Sequence, residues 1–253
     1  MFRPRVIPVL LLKDLGLVKT FQFGKPKYIG DPINTVKIFN NFKADEIIFL
    51  DISATKNNSL ISTKFIRDVG EQAFMPFAVG GGIRTLKQAE NCIKNGAEKI
   101  VINSHSLINH KLIVDCVNSL GQQSVVVSID VRKSIFGSYK VYRNGGRKKT
   151  SYSAKKWALI VEDLGAGEIM INDIRNDGVM KGYDLDLIND ITESVSVPVI
   201  ACGGAGTLND MKLAIDSGAH AVAAGSLFVF QGPRKGVLVN YPSKSQLESI
   251  FDD

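Results

Sequence analysis

Two stretches of this chain are versions of one another, and nothing else in the sequence limits its fold as tightly. PFAVGGGIRTLKQAENCIKNGAEKIVINS runs from Pro76 to Ser104, and PVIACGGAGTLNDMKLAIDSGAHAVAAGS runs from Pro198 to Ser226. The displacement from 76 to 198, 122 residues, holds without a gap for Gly81/Gly203, Gly82/Gly204, Thr85/Thr207, Leu86/Leu208, Ile93/Ile215, Gly96/Gly218, Ala97/Ala219 and Ser104/Ser226. Upstream it holds for Glu46/Glu168, Ile47/Ile169, Asp51/Asp173 and Ile52/Ile174. Two copies of a unit this long account for the whole chain of 253 residues.

Each copy alternates strands with helices. In the first, short apolar runs at 5–11, 46–51, 77–80 and 99–103 read as strands, with helical stretches near 32–42, 60–72, 85–95 and 106–119. Asp31-Pro32 has the character of an N-cap and first-turn proline, and Gly96 of a helix stop. The second copy gives strands near 124–130, 168–172, 199–202 and 220–224. Eight strand–helix units in two fourfold halves, about 1–122 and 123–253, favour an α/β fold, a single (β/α)8 barrel. An open doubly wound sheet is the alternative, but its Gly-rich fingerprint after the first strand is missing.

Composition removes several function classes. No apolar stretch approaches the length of a membrane span. Cys92, Cys116 and Cys202 are widely spaced, and His105, His110 and His220 form no ligand pattern. The expectation is a reduced, cytoplasmic setting with no metal and no cofactor. The net charge of +6 suits an anionic partner, and part of it is local, in RNGGRKKTSYSAKK (143–156). Without a nucleic-acid motif or an aromatic-basic platform, a small phosphorylated substrate is the better expectation than nucleic acid.

In such barrels the active site lies at the C-terminal ends of the strands. Gly81-Gly82 and Gly203-Gly204 fall there, with Ser104 and Ser226 at the ends of the strands that follow. Glycine permits close backbone approach, and the N–H groups of a helix start attract phosphate. Tight turns alone would also use glycine, but the duplicated pairing with serine points to two phosphate cradles. Asp130 ends the fifth strand on the parity of Val126 and Ser128, which makes it the best general acid or base, although an aspartate there can also cap a helix. Lys19 follows the first strand in a loop from which it could reach a phosphate. The segment SYKVYRNGGRKKT reads as a hairpin over the mouth, turning at Asn-Gly-Gly. His105 could donate a proton there, though a surface histidine is the simpler reading.

At the other end, Arg5, Glu46, Lys99 and Glu168 begin the first, second, fourth and sixth strands. Pointing inward, they could pair into a salt-bridged plug, since buried charges are costly unless paired. Alternation along the first strand then carries Arg5, Ile7, Val9 and Leu11 up one face to the mouth. It sets Asp51 opposite Glu46 in parity, so Asp51 reaches the mouth only if its strand end bends.

The sequence resembles the cyclase subunit of imidazole glycerol phosphate synthase, and more loosely the isomerase relative in histidine biosynthesis. The resemblance rests on LVKT (17–20), GDP (30–32), DEIIFLDI (45–52), VGGGI (79–83), GAEKIVIN (96–103), VVVSID (125–130), GAGEI (165–169), DGVMKGYD (177–184) and ACGGAG (201–206). It implies a barrel that takes ammonia from a glutaminase docked beneath it and uses the ammonia on a bisphosphate. It implies one phosphate near Gly82, Asn103 and Ser104, and another near Asp177, Gly178, Gly204, Gly225 and Ser226. It makes Arg5, Glu46, Lys99 and Glu168 an ammonia gate, with Glu98 at its rim. Cys202 stands where the family usually has serine, and Asn172 to Ile174 depart from its small hydroxyl residues.

The family's cyclase uses two carboxylates, one on the first strand and one on the fifth. The first-strand position is Leu11 in this chain, which cannot move a proton. Three readings follow. The chain is an ammonia-using synthase with altered chemistry, resembling a branch linked to amidino modification of bacterial surface sugars. Or it is the histidine-pathway cyclase, with a group such as Asp51 as the missing acid. Or it is a non-catalytic barrel that activates its glutaminase.

Overall fold

The computed structural model describes residues 3–232 and 234–251. Eight parallel strands close into a barrel: β1 (Arg5–Lys13), β2 (Ile47–Asp51), β3 (Phe77–Gly80), β4 (Lys99–Ile102), β5 (Val125–Lys133), β6 (Glu168–Asp173), β7 (Val199–Cys202) and β8 (Ala221–Ala224). β1 pairs with β2 on one side and β8 on the other, and β5 with β4 and β6, so the ring has no free edge. Helices α1 (Pro32–Phe42), α2 (Thr63–Gly70), α3 (Leu86–Lys94), α4 (Lys111–Leu120), α5 (Ala154–Asp163), α6 (Leu185–Thr192) and α7 (Leu208–Asp216) run between the strands. The short α8 (Ser226–Val229) and α9 (Lys244–Phe251) follow β8. This is the (β/α)8 barrel that the repeat implies.

The strands are nearly continuous aliphatic runs because both of their faces are covered. Their inner faces meet in a layer of Ile7, Val9, Ile48, Ala78, Val101, Val126, Met170, Ile200, Ala221 and Ala223. Their outer faces pack under the helices, where Phe39, Phe49 and Phe228 fill one region and Trp157 another. Helix starts carry their own caps. The Asp31 side chain accepts from the backbone N–H of Asn34 at 2.8 Å ahead of Pro32. Thr85 and Thr207, partners in the repeat, cap α3 and α7 in the same way.

Several boundaries differ from those read in the sequence. α2 starts at Thr63 rather than 60, because Ser62 caps it by accepting from the N–H of Phe65. α4 starts at Lys111 rather than 106, because residues 104–110 form turns, one of them held by Ser106 Oγ donating to the carbonyl of Asn103. β1 and β5 both outrun their expected ends. Leu11, Leu12 and Lys13 pair antiparallel with Val18, Leu17 and Gly16, and Asp130 to Lys133 pair antiparallel with Tyr142 to Tyr139. Each half of the chain therefore sends its first strand past the barrel rim into a hairpin. Lys19 lies on that first hairpin, buried, and not in a solvated loop. The second hairpin, Tyr139–Arg143 with Lys148–Ser153, is the one its Asn-Gly-Gly turn suggested.

Trp157 is fully buried in a three-ring cluster with Tyr152 and His110, each ring centroid 5.0 Å from its own. Trp157→Ala leaves a cavity that a closed barrel cannot collapse into. We expect it to destabilise the fold by about 3–5 kcal/mol, read from urea unfolding midpoints.

Candidate active site

One cavity of about 870 Å3 opens at the C-terminal ends of the strands, and every mouth residue singled out from the sequence lines it: Lys19, Asp51, Gly82, Asn103, Ser104, Asp130, Asp177, Gly178, Gly204, Gly225 and Ser226. Leu11, Asn172, Cys202 and His105 line it too. Arg5, Glu46, Lys99 and Glu168 do not, because they close the opposite end.

The inward residue at the top of β5 is Asp130, 6% exposed. Burial pushes its carboxyl up to about 7, the neighbouring Asn103 amide pulls it back, and the negative Asp177 adds to the rise. A carboxylic acid poised near neutrality can both give and take a proton. The inward residue at the top of β1 is Leu11, where the hairpin begins just as it does at Asp130 on β5. The two strands lie opposite each other in the ring. Leucine and aspartate thus hold equivalent places on facing walls.

Asp51 reaches the mouth, but its Oδ1 is already engaged. It accepts from the N–H of Ser53 at 2.9 Å, the hydroxyl of Ser53 at 2.6 Å and the N–H of Ala54 at 3.1 Å. Its repeat partner Asp173 holds the same kind of turn by accepting from the N–H of Arg175 at 3.0 Å. Burial raises Asp173 to about 6.

Lys19 is paired with Asp177 at 3.0 Å, both buried, and Thr20 Oγ1 donates to the other Asp177 oxygen at 3.2 Å. A β-carbon placed on Gly225 would lie 3.2 Å from the Lys19 ammonium, so that cation rests directly over the Gly225-Ser226 turn. On the other side, Ser104 Oγ accepts from the N–H of Asn144 at 2.8 Å, which ties the second hairpin to the mouth. Arg84, Arg143 and Arg147 line the cavity there. Of these three arginines, only Arg143 and Arg147 have a signal in the sequence, the basic run at 143–156; Arg84, in the repeat after Gly82, has none. Burial and the nearby Arg84 charge push His105 below its ordinary value, which favours a neutral imidazole.

The duplicated glycines are required by the backbone whatever the site binds. A β-carbon on Gly82 would sit 1.9 Å from the carbonyl oxygen of Ser59, and one on Gly204 would sit 2.1 Å from that of Gly182. Both residues also have positive φ.

At the floor the four charges form a closed ring. Arg5 donates to Glu46 through one nitrogen and to Glu168 at 2.7 Å through the other. Lys99 lies 3.2 Å from both glutamates. Glu46 is almost wholly enclosed, so its charge is matched inside the ring rather than by water, while Arg5 keeps 28% of its side-chain surface exposed. Glu98 lies outside it, exposed, accepting from the N–H of Phe77 at 2.8 Å. A second pair, Arg3 with Asp45 at 2.7 Å, stands beside the ring and was not anticipated.

Among the described residues no group of three or more His, Cys, Asp or Glu is arranged to hold a metal, and no helix is long and apolar enough to cross a membrane.

Comparison with known proteins assigns the scaffold. A family model described as histidine biosynthesis protein matches residues 5–233. A Pseudomonas aeruginosa protein, provisionally named imidazole glycerol phosphate synthase subunit hisF2, is 47% identical over 98% of this chain and 99% of its own. The imidazole glycerol phosphate synthase subunit HisF of Alkaliphilus metalliredigens is 42% identical over 90% of this chain and 91% of its own. That of Petrotoga mobilis is 38% identical over 99% and 98%. With its closed barrel, its charged floor and its mouth built on Asp130, the chain belongs to the histidine biosynthesis protein family, among the HisF subunits.

Proposed function

We propose that this protein is the ammonia-using synthase subunit of a glutamine amidotransferase, and that its reaction departs from the ring closure of histidine biosynthesis. The observation that carries the proposal is the pairing of a complete floor with an incomplete mouth. Arg5, Glu46, Lys99 and Glu168 form the ammonia gate, and a glutaminase docks below it, with Glu98 at the rim. Asp130 supplies acid–base chemistry at the other end. Leu11 faces it where the family's cyclase has its second carboxylate, and a hydrocarbon side chain neither transfers a proton nor steadies a charged intermediate. Decay of an unused gene would be expected to erode the floor charges as readily as the mouth.

The substrate is phosphorylated. One phosphate lies by Gly82, Asn103 and Ser104, beneath Arg84, Arg143 and Arg147. The other lies by Asp177, Gly178, Gly204, Gly225 and Ser226, where the Lys19 ammonium already waits. Within the cytoplasm, ammonia adding to an amide-level carbon of a nucleotide-linked or phosphorylated sugar whose oxygen already carries an activating group, with that group leaving with the oxygen and a proton lost from nitrogen, gives an amidine, as in amidino modification of surface polysaccharides. The reading as an ordinary histidine-pathway cyclase needs Asp51 to stand in for the lost acid. The three donors on its Oδ1 argue that it serves the turn first. A non-catalytic barrel would have no need of a carboxyl held near neutrality over an enclosed cavity.

Supplied with ammonium and the histidine-pathway bisphosphate, the protein is expected to show little or no ring closure, whereas Leu11→Asp gains it. Efficient closure by the unaltered protein sinks the proposal in favour of the histidine cyclase. With its own substrate, Asp130→Asn is expected to lose about 10²–10⁴ in rate. A product yield unaffected by that change points instead to the non-catalytic barrel. Glutamine should replace ammonium as nitrogen source only when the glutaminase is present.

The raised Asp130 also makes a prediction about stability. An unfolded aspartate titrates near pH 3.9, and the folded one at about 7. Between those values the folded chain holds a proton that the unfolded chain has released, so stability falls as pH rises through that window and the loss is complete above it. Asp130→Asn removes the titration. Its stability relative to the unaltered protein should therefore rise between about pH 4 and pH 7 and level off beyond, as followed by denaturant unfolding at a series of pH values.

A further inference from the structure

Among the described residues at the mouth, one fully buried side-chain atom, the Oδ1 of Asn172, has no hydrogen-bond partner in the protein. Asn172 is the inward residue at the top of β6, 8% exposed, and it lines the cavity. Its Oδ1 is closed off from solvent and accepts no hydrogen bond. A buried polar group left this way costs stability, and native proteins rarely carry one without a reason. A half-turn about the last side-chain bond, a soft torsion, exchanges the oxygen with the amino group and so offers either to the cavity.

The place of Asn172 in the repeat gives the reason its content. Its counterpart, 122 residues earlier, is Leu50, on the strand directly across the barrel. Leu50 is the in-register neighbour of Leu11, and Asn172 is the in-register neighbour of Asp130. The first half of the chain thus presents two leucines to the cavity, and the second half presents an aspartate and an asparagine at the matching positions. Asn103 stands on the other side of Asp130 and lines the same wall. At the strand tops the mouth is therefore divided: the inward residues of β1 and β2 are apolar, and those of β5 and β6, with Asn103 just after β4, are hydrogen-bonding.

We infer that Asn172 is a specificity-determining residue whose side-chain amide hydrogen-bonds an uncharged N–H- or O–H-bearing group on the reacting end of the substrate, beside Asp130, while Leu11 and Leu50 take that end's hydrocarbon side. This rests on the reading of the cavity as the site for a phosphorylated substrate. It adds that the end between the phosphates is neutral and two-faced, with a polar edge and an apolar edge. A substrate that needs charged groups on both walls is rejected by the leucines. One that lacks the polar edge leaves the Asn172 amide unpaired, and discrimination of that kind is strong.

The test has two arms. In the first, thermal unfolding of the ligand-free protein is compared with Asn172→Leu, which copies Leu50, and with Asn172→Thr. An amide kept for a ligand contributes nothing to the empty fold, so both variants should match or exceed the parent, with Tm rising by about 2–4 °C where the replacement packs well. A clear fall in Tm for both means that the amide is structural and overturns the inference. In the second, binding of the histidine-pathway bisphosphate is measured by calorimetry for the parent, Leu11→Asp, Asn172→Thr and the double variant. The double variant should bind about tenfold or more tightly than Leu11→Asp alone, because two features of the wall then stop opposing that ligand. Equal affinities with and without Asn172→Thr, in both backgrounds, overturn the inference while leaving the phosphate cradles standing. Failure of every variant to bind the bisphosphate removes the cradles and the inference together.

Discussion

Along a strand of a closed barrel only every second side chain reaches the axis, and the strand is so short that each contributes just a few. The rest of this structure hangs on that rationing. β1 spends its inward positions on Arg5, Ile7, Val9 and Leu11, and β6 spends its own on Glu168, Met170 and Asn172. A charge at the floor, an apolar middle and a mouth residue are then fixed together by one register. A slip of a single residue would turn all of them outward at once. Floor and mouth are therefore coupled without touching, because each strand that carries a floor charge also carries a group into the cavity.

The duplication, the closed barrel and the alternation of strands were legible because they depend on periods and spacings that the chain carries locally. The floor ring is legible as four charges at strand starts that can pair if they point inward, which is where the barrel puts them. What could not be read was anything set by how a strand end meets its neighbours. Lys19 looked like a loop lysine because no local pattern announces that Leu11 to Lys13 fold back onto Gly16 to Val18. Asp51 looked like a spare acid because its three donors come from a turn whose shape depends on Gly81 lying against it. Arg84, Arg143 and Arg147 converge on one side of the mouth from two distant segments, and convergence of that kind is a property of the folded barrel alone.

Lys19 and Asp177 illustrate how the mouth holds its charges before any substrate arrives. A buried ammonium and a buried carboxylate neutralise each other, and Thr20 occupies the carboxylate's second oxygen. The pair joins the first hairpin to the loop after β6, so an anion arriving over Gly225 competes with Asp177 for the same cation. The rim is thus a satisfied buried pair rather than an open positive patch.

The two halves of the chain have kept one backbone and divided its duties, and this bears on how they can be recombined. Both cations of the floor ring, Arg5 and Lys99, come from the first half, while the second supplies only Glu168; the repeat partner of Lys99 is Ala221. At the mouth the inheritance runs the other way, with Asp130 and Asn172 answering Leu11 and Leu50. A symmetric barrel made from two copies of the second half would set Asp130 and Asn172 on both facing walls over a floor of unopposed glutamates. Two copies of the first would set a surplus of cations at the floor beneath leucines on both facing walls. Neither symmetric barrel would join a charge-balanced floor to a leucine facing a carboxylate, so the two halves are interchangeable in backbone but complementary in chemistry.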